Sequence, residues 1–425
     1  MRIAHFIQRY PPALGGAEAY FARLGRYLAT RGHDVSVFTS NALDLEAFWS
    51  PAGRTLEAGT TNEDGVAIKR YPLWRCRGRR WLLKPLSFLP QRTWQCLTLP
   101  CNPISLAMWQ EAGRPQERFD LVHASAFPYA FPMACGLRLA RSLGVPFLAT
   151  PFLHLGDPAN PRDRTRAGYT SPPLVHLLKN ATRVFAQTEW ERDFLGPLGV
   201  PAERVVLQGM GVDPAECTGG VRTFARQGWQ CAEEEVVVGM LANHSAEKGT
   251  LDLLRAAELL WHKGRRFCLV LAGPEMPNFR RFWPGYGCQQ RVVRLGVIDD
   301  EQKRDFFAGI DLFALPSRSD SFGLVLLEAW ANGVPCLGYR AGGVGEVIHH
   351  EEDGLLARCG AIDELAGCLD QLIASAALRR RLGDTGKERV QRNLRWHDKL
   401  ALVERVYLEA ADQPALKPSG VSSTK

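Results

Sequence analysis

Short apolar runs recur along the chain, and between them apolar positions repeat at the helical period. In the first half the runs fall at 2–8, 35–39, 66–71, 121–124, 146–150, 184–187 and 205–207. In the second half they fall at 236–241, 267–272, 292–295, 312–315 and 335–338. Amphipathic helical patterns such as 17–30 and 130–143 lie between them. Near-continuous apolar strands joined by helices predict parallel sheets buried on both faces. Two successive sets, each of roughly 200 residues, predict two doubly wound α/β domains facing each other across a cleft. The first is expected over 1–212 and the second over 213–394, with the boundary at Gly211-Val212-Asp213-Pro214 and a non-periodic linker running on to Gln230. A last helix at 395–411 is placed to pack back on the first domain. The polar stretch 412–425, with Pro, Gly and Ser, reads as a disordered tail.

A length of 425 residues exceeds what one hydrophobic core holds together, in keeping with that division. The apolar share of 46% and the charged share of 23% are ordinary for a soluble globular protein. No apolar stretch reaches the length of about 18 residues that a bilayer span needs. The N-terminus lacks the apolar run of a secretory signal and reads as a strand, so a cytoplasmic protein is expected. Eleven cysteines occur without a Cys-x-x-Cys pair, which argues against a zinc site and a disulfide framework alike. Cys268 and Cys336, in apolar surroundings, read as small core residues. His349-His350 beside Glu351-Glu352 suggests a metal or, more simply, a polar surface turn. No metal and no cofactor are expected.

The net charge of +7 is unevenly spread. Between Asp64 and Glu111 there is no acid but eight basic residues: Lys69, Arg70, Arg75, Arg77, Arg79, Arg80, Lys84 and Arg92. The other 44 basic and 45 acidic residues leave −1. Tyr71, Trp74, Trp81, Phe88 and Trp94 are interleaved with the charges, a mixture suited to an anionic bilayer surface. The charge alone also suits nucleic acid, and a solvated basic insertion with no partner remains the plain alternative.

Open α/β sheets bind ligands beyond the carboxyl ends of their strands. On that edge the sequence places Gly15-Gly16, His154 and Thr188 in the first half. In the second it places 243–248, Gly273-Pro274, Asp320 and Gly342-Gly343. The segment 316–329 stands out, because it sets Glu328 inside an otherwise apolar helix expected over 322–332. An ionised glutamate there costs several kcal/mol unless it is paired. Either it faces a ligand cleft, or it makes a structural salt bridge to an arginine. Asp320 with Ser321 also reads as a helix N-cap. Lys248 at a helix start suits a diphosphate, and the glycines at 15 and 16 let a backbone approach a phosphate, though either feature also occurs in ordinary loops.

Taken in order, these pieces resemble the retaining nucleotide-sugar glycosyltransferases of family 4. The carriers are 12–18, Arg31 to Val35, Gly209 to Asp213, Glu247-Lys248-Gly249 and Ala272-Gly273. The most specific are 316–329, Gly333-Val334-Pro335, 342–348 and 353–356. The resemblance covers essentially the whole chain and implies the GT-B fold, two Rossmann-like domains across a cleft. It implies that Glu328 grips the donor ribose and that Lys248 neutralises the donor diphosphate. Amides of Phe322, Gly323 and Leu324 would face the sugar hydroxyls, Gly15 and Gly16 the phosphates, and His154 the transferred sugar. Two positions depart from the family's pattern. Asp320 stands where a glutamate is usual, and Asn243 where an arginine is usual, so Arg318 or Arg340 is expected to supply the missing charge.

The reading that follows is a retaining, metal-independent glycosyltransferase in the cytoplasm, peripheral on the inner face of the membrane. Its donor is a nucleoside-diphosphate sugar and its acceptor a glycan or lipid-linked intermediate of cell-surface polysaccharide or lipopolysaccharide synthesis. The 69–94 segment would meet the anionic membrane, and no nucleic acid is expected as a partner. The alternative is a nucleotide-sugar-binding protein of the same fold with impaired catalysis, for which Asp320 and Asn243 speak. A dinucleotide oxidoreductase would want Gly-x-Gly-x-x-Gly after the first strand, and 8–18 does not supply it.

Overall fold

The computed structural model describes residues 1–412 except 77, 126 and 161, so the expected tail beyond Asp412 lies outside the described residues. The first sheet contains β1 (Arg2–Ile7), β2 (Asp34–Ser40), β3 (Gly59–Glu63), β4 (Val66–Tyr71), β5 (Leu121–Ala124), β6 (Phe147–Ala149), β7 (Arg183–Ala186) and β8 (Val205–Leu207), in the order β3-β4-β2-β1-β5-β6-β7-β8. The second contains β9 (Val237–Leu241), β10 (Cys268–Ala272), β11 (Val292–Gly296), β12 (Leu312–Leu315), β13 (Cys336–Tyr339) and β14 (Gly354–Ala357), in the order β11-β10-β9-β12-β13-β14. Every pairing is parallel except that of β3 with β4.

The topology itself marks a place for a ligand. In the first sheet the chain steps outward from β1 to β2 and then returns to lay β5 on the other side of β1. In the second it does the same around β9, with β12 on the returning side. Each reversal opens a crevice at the carboxyl ends of the two central strands. The loops after β1, β6, β9 and β12 carry Gly15-Gly16, His154, Lys248 and Asp320 respectively.

Two strands were not foreseen from the apolar pattern. β3 is exposed along its whole length and has no apolar residue to announce it; its ladder to β4 holds it, helped by Arg70, which donates to Thr61 and Glu63. β14 is a four-residue strand following an acidic turn. The stretch read as a non-periodic linker up to Gln230 contains the helices Pro214–Cys217 and Arg222–Trp229. The second is anchored by a buried arginine, Arg226, which donates to the carbonyls of Gly309, Ala232, Glu233 and Glu235 and pairs with Asp311. Such an inward arginine looks solvated in a sequence. The helix Trp396–Ala411 lies against the first sheet, with Tyr407 Oη between the buried rings of His5 and His123.

Candidate active site

A cavity of about 370 Å³ lies between the carboxyl edges of the two sheets and takes its walls from both. Of the residues singled out above, Gly15, Gly16, His154, Asn243, Lys248, Asp320, Phe322, Gly323 and Leu324 all line it, whereas Arg318 and Glu328 do not. A larger recess of about 1250 Å³ opens on the flank of the first sheet. There Lys69 is neutralised by Glu111 and Glu117, and none of the loops named above reaches it.

The central pair arises from two loops that touch. After β9 the chain turns through Asn243–Gly249 into the helix Thr250–His262. The Glu247 carbonyl accepts from Arg318 N–H at 2.8 Å and from Ser317 Oγ at 3.3 Å, tying this turn to the loop after β12. Gly249 sits at φ +74°, and a Cβ there would fall 1.8 Å from the Pro316 carbonyl oxygen, so a side chain would force the loops apart. With the loops closed, Lys248 Nζ donates to the Asp320 carboxylate at 2.6 Å on the cavity wall. The two side chains remain 25% and 15% exposed, open enough for a ligand to compete for them. Burial alone would raise the Asp320 pKa, but Lys248, His154 and the Phe322 N–H together hold it below the usual carboxylate range.

His154 faces this pair from the first half. Its Nδ1 lies 3.2 Å from Ser319 Oγ, and its ring stacks on Tyr169 at 4.7 Å. Burial depresses its pKa to about 4, with Asp320 opposing and Lys248 reinforcing the shift, so the imidazole is neutral at pH 7.

Three expectations are corrected here. Asp320 and Ser321 do not cap the apolar helix, which is Leu324–Ala331; its N-cap is Gly323 at φ +90°, and no side chain caps it. Its amide end is left at the cavity wall without a side-chain acceptor. Arg318 and Arg340 do not bring a second cation to the cavity. The Arg318 guanidinium turns instead to Asp252, a buried carboxylate that needs a counter-charge and also accepts from Tyr339 Oη at 3.2 Å. Glu328 pairs with a lysine rather than an arginine: Lys303 lies 3.1 Å away. Glu328 and Lys303 both line a second cavity of about 580 Å³ that shares Leu324 with the first, so this glutamate faces a cavity and carries a pair at once. Burial raises its pKa and Lys303 pulls it back.

Sequence reasoning gave no role to Gln8, Arg9 or Glu18. Gln8 Nε2 and Arg9 Nε reach the Glu18 carboxylate at 3.2 and 2.9 Å, and Arg9 also holds the Leu14 carbonyl at 2.9 Å. The carboxylate packs under Gly15, where a Cβ would come 2.1 Å from Glu18 Oε2. This buried ion pair shapes the loop that presents Gly15 and Gly16 to the cavity. The one available signal was a glutamate in the first turn of the helix Gly16–Thr30, a place that usually faces water.

In the basic segment, several charges are internal. Lys69 and Arg70 pair with acids, and the buried Arg79 donates to the carbonyls of Trp74 and Asn102. Arg77 and the side chain of Arg80 lie outside the described residues. The apolar side chains turn the other way: Trp81 is 77% and Phe88 74% exposed, with Leu82, Leu89 and Trp94 beside them in sequence. Among the described residues no helix is long and apolar enough to cross a membrane.

Comparison with known proteins adds names to this geometry. Residues 221–389 match the family described as glycosyl transferases group 1, and residues 15–211 match a glycosyl transferase 4-like domain. The chain is 25% identical over 410 residues to N-acetyl-alpha-D-glucosaminyl L-malate synthase of Bacillus anthracis, covering 94% of this chain and 95% of that one. It is 30% identical over 218 residues to the lipopolysaccharide core biosynthesis glycosyltransferase LpsE of Rhizobium meliloti, covering 51% of this chain and 61% of that one. Among solved structures, Anabaena HepE in complex with UDP-glucose superposes with a TM-score of 0.71 at 18% identity, over 96% of this chain and all of that one (100%).

Proposed function

The chain belongs to the GT4-type glycosyltransferases and has their GT-B fold, and from that premise we propose that it is a retaining enzyme that moves a sugar from a nucleoside diphosphate to a glycan or lipid-linked acceptor. The observation that carries this reading is Lys248 Nζ on the wall of a cavity between two switch points, paired with Asp320 but still partly exposed. In the reaction the bond between the sugar's anomeric carbon and the diphosphate breaks, and both electrons leave with the phosphate oxygen. Lys248 stabilises that developing charge, helped by the uncapped amide end of Leu324–Ala331, so the positive charge is the protein's own. The acceptor hydroxyl bonds to the same face of the sugar, and its proton passes to the departing phosphate. No side-chain nucleophile is required. His154, neutral at pH 7, positions the sugar by hydrogen bonds rather than by charge. Glu328 takes the ribose hydroxyls from the adjoining cavity, and Glu18 with Arg9 keeps the glycine loop open to the phosphates.

The exposed rings at Trp81 and Phe88, with Lys84 and Arg92 near them in sequence, support a peripheral site on an anionic membrane. An acceptor anchored there belongs to lipopolysaccharide or other cell-surface polysaccharide synthesis, the process named for LpsE.

A thermal-shift panel of nucleoside diphosphates and their sugars tests the donor half. At roughly 100-fold above Kd a true donor stabilises the protein by about 2.7 kcal/mol. Lys248→Ala abolishes the shift. No response to any nucleotide would sink the reading, and a shift without turnover on any lipid-linked acceptor would favour the catalytically impaired binder.

A further inference from the structure

The helix that begins just after Lys248 carries a second set of chemical groups at its other end, about 18 Å along the axis. Glu258 and His262 are four residues apart on Thr250–His262 and therefore share a face. Cys288 lies across from them on the turn before β11. That turn is pinned to the same helix: Tyr286 is buried, and its Oη donates to the Leu254 carbonyl at 2.8 Å. Gln289 Nε2 holds the Trp283 carbonyl at 2.8 Å. Cys288 Sγ is thereby kept 4.0 Å from Glu258 Oε1. One ligand atom from each of Glu258, His262 and Cys288 lies within 4.8 Å of the others, the only such trio among the described residues.

We propose that Glu258, His262 and Cys288 bind one zinc ion, with water in the fourth position. A thiolate, an imidazole and a carboxylate together suit Zn²⁺ and disfavour Mg²⁺ or Ca²⁺, which take oxygen ligands. Bonds of about 2.3 Å to sulfur and about 2.1 Å to oxygen at a tetrahedral angle put those two ligand atoms about 3.6 Å apart. Ion binding has to draw these two atoms in from 4.0 Å and the separations to His262 from no more than 4.8 Å, moves within the reach of side-chain rotation. On binding, the Cys288 S–H bond breaks heterolytically, the sulfur's electron pair bonds the zinc and the proton goes to solvent. Cys288 is otherwise held as a thiol, because burial and the Glu258 charge raise its pKa against the weaker pull of Arg291. Exposed His262 gives the ion its way in. The ion ties the far end of the helix behind Lys248 to the turn leading into β11, and touches no reacting group.

The test uses the full chain, stripped with a chelator and titrated with Co²⁺ and then Zn²⁺. One equivalent of Co²⁺ produces the thiolate-to-cobalt charge-transfer absorption, Zn²⁺ displaces it, and Zn²⁺ raises Tm. Cys288→Ser loses the absorption and the Tm rise, and His262→Gln weakens Zn²⁺ binding at least tenfold. Both variants keep the metal-free Tm and the metal-free activity of the wild type. His350→Gln, at the other histidine cluster, binds as the wild type does. The proposal is overturned by an absent band at one equivalent, by a band that survives Cys288→Ser, by loss of binding in His350→Gln, or by equal protection from Mg²⁺.

Discussion

The cleft wall built by the second sheet and the flank formed by residues 69–94 prepare for their partners in opposite ways. On the wall Lys248 is paired with Asp320 and Glu328 with Lys303, and behind it Arg318 is paired with Asp252. On the flank the charges nearest the sheet are also paired, but Trp81, Leu82, Phe88 and Leu89 stand in water. A ligand entering the cleft must exchange one ion-pair partner for another, in fixed directions and at fixed distances. A partner on the flank has only to cover apolar rings, which is non-directional. The first arrangement selects a chemical group; the second only adheres to a kind of surface.

The sharpest way to separate the two is to damage them one at a time. Lys248→Ala should cost about 10²–10³ in kcat, the scale of losing one fixed charge at a developing oxyanion, while leaving vesicle binding untouched. Steady-state kinetics with co-sedimentation on anionic vesicles checks both halves, and a loss of vesicle binding would show that the two regions are not independent. The reciprocal change, Trp81→Ser with Phe88→Ser, should lower anionic-vesicle affinity by about 10²-fold, since rings that enter the membrane only partly contribute the lower end of the roughly 1.5–3 kcal/mol that each is worth when fully buried. Its nucleotide-induced thermal shift should equal that of the wild type. Equal pelleting of wild type and variant, without a salt effect, would remove the membrane from the account.

The same contrast explains what could be read in advance. Buried parallel strands announce themselves by apolar runs, so β1, β2, β4 to β13 and the edge bearing the site were visible along the chain. The motif loops too could be located, because Lys248, Asp320 and Phe322 to Leu324 are placed by strand ends. Pairings were not legible. Nothing local says that Asp252 takes Arg318, that Lys303 rather than an arginine meets Glu328, or that Arg226 turns inward, because each partner comes from a distant element. Helix-capping rules misplaced Asp320 for the same reason: a lysine 72 residues earlier in the chain claimed it. On the flank, composition overstated the free charge, since it could not tell Lys69 and Arg79, which are spent inside, from the exposed rings.

A smaller effect probes whether the pairing on the wall is held for a ligand or for stability. Glu328→Gln removes one charge from the Lys303 pair but keeps the size and an acceptor. The donor should bind about tenfold more weakly, the loss of one charge-assisted hydrogen bond of roughly 1.5 kcal/mol, with Tm little changed. Isothermal titration with the nucleoside diphosphate and a melting curve separate the cases. A variant that melts well below the wild type yet binds normally when folded would make Glu328 a structural residue, and the wall would then resemble the flank's internal ion pairs.

The smallest change is expected near neutral pH, and its sign follows from burial. His154 has its folded pKa lowered to about 4, below the value near 6.5 of the unfolded chain. Between those values the unfolded chain binds a proton that the folded one does not, so stability falls as pH drops through that window and is level above it. Asp320 is depressed as well, and its contribution is present above its unfolded pKa of about 3.9 and lost only as pH falls through its lower folded value. Neither group titrates from about pH 7 to 8, so transfer should be flat there on their account. In the His154→Gln variant the acid-side loss above about pH 4 should shrink, and the wild type should lose stability relative to the variant from about 6.5 downward. Chemical denaturation at a series of pH values reads this directly. His5, His123 and His244 are lowered by burial as well and fall alike in both proteins, so the difference is what counts. A variant whose stability follows the same pH dependence as the wild type down to about pH 5 would mean that His154 is charged in the cleft, and the ion pair beside it would then have to be redrawn as a three-charge cluster.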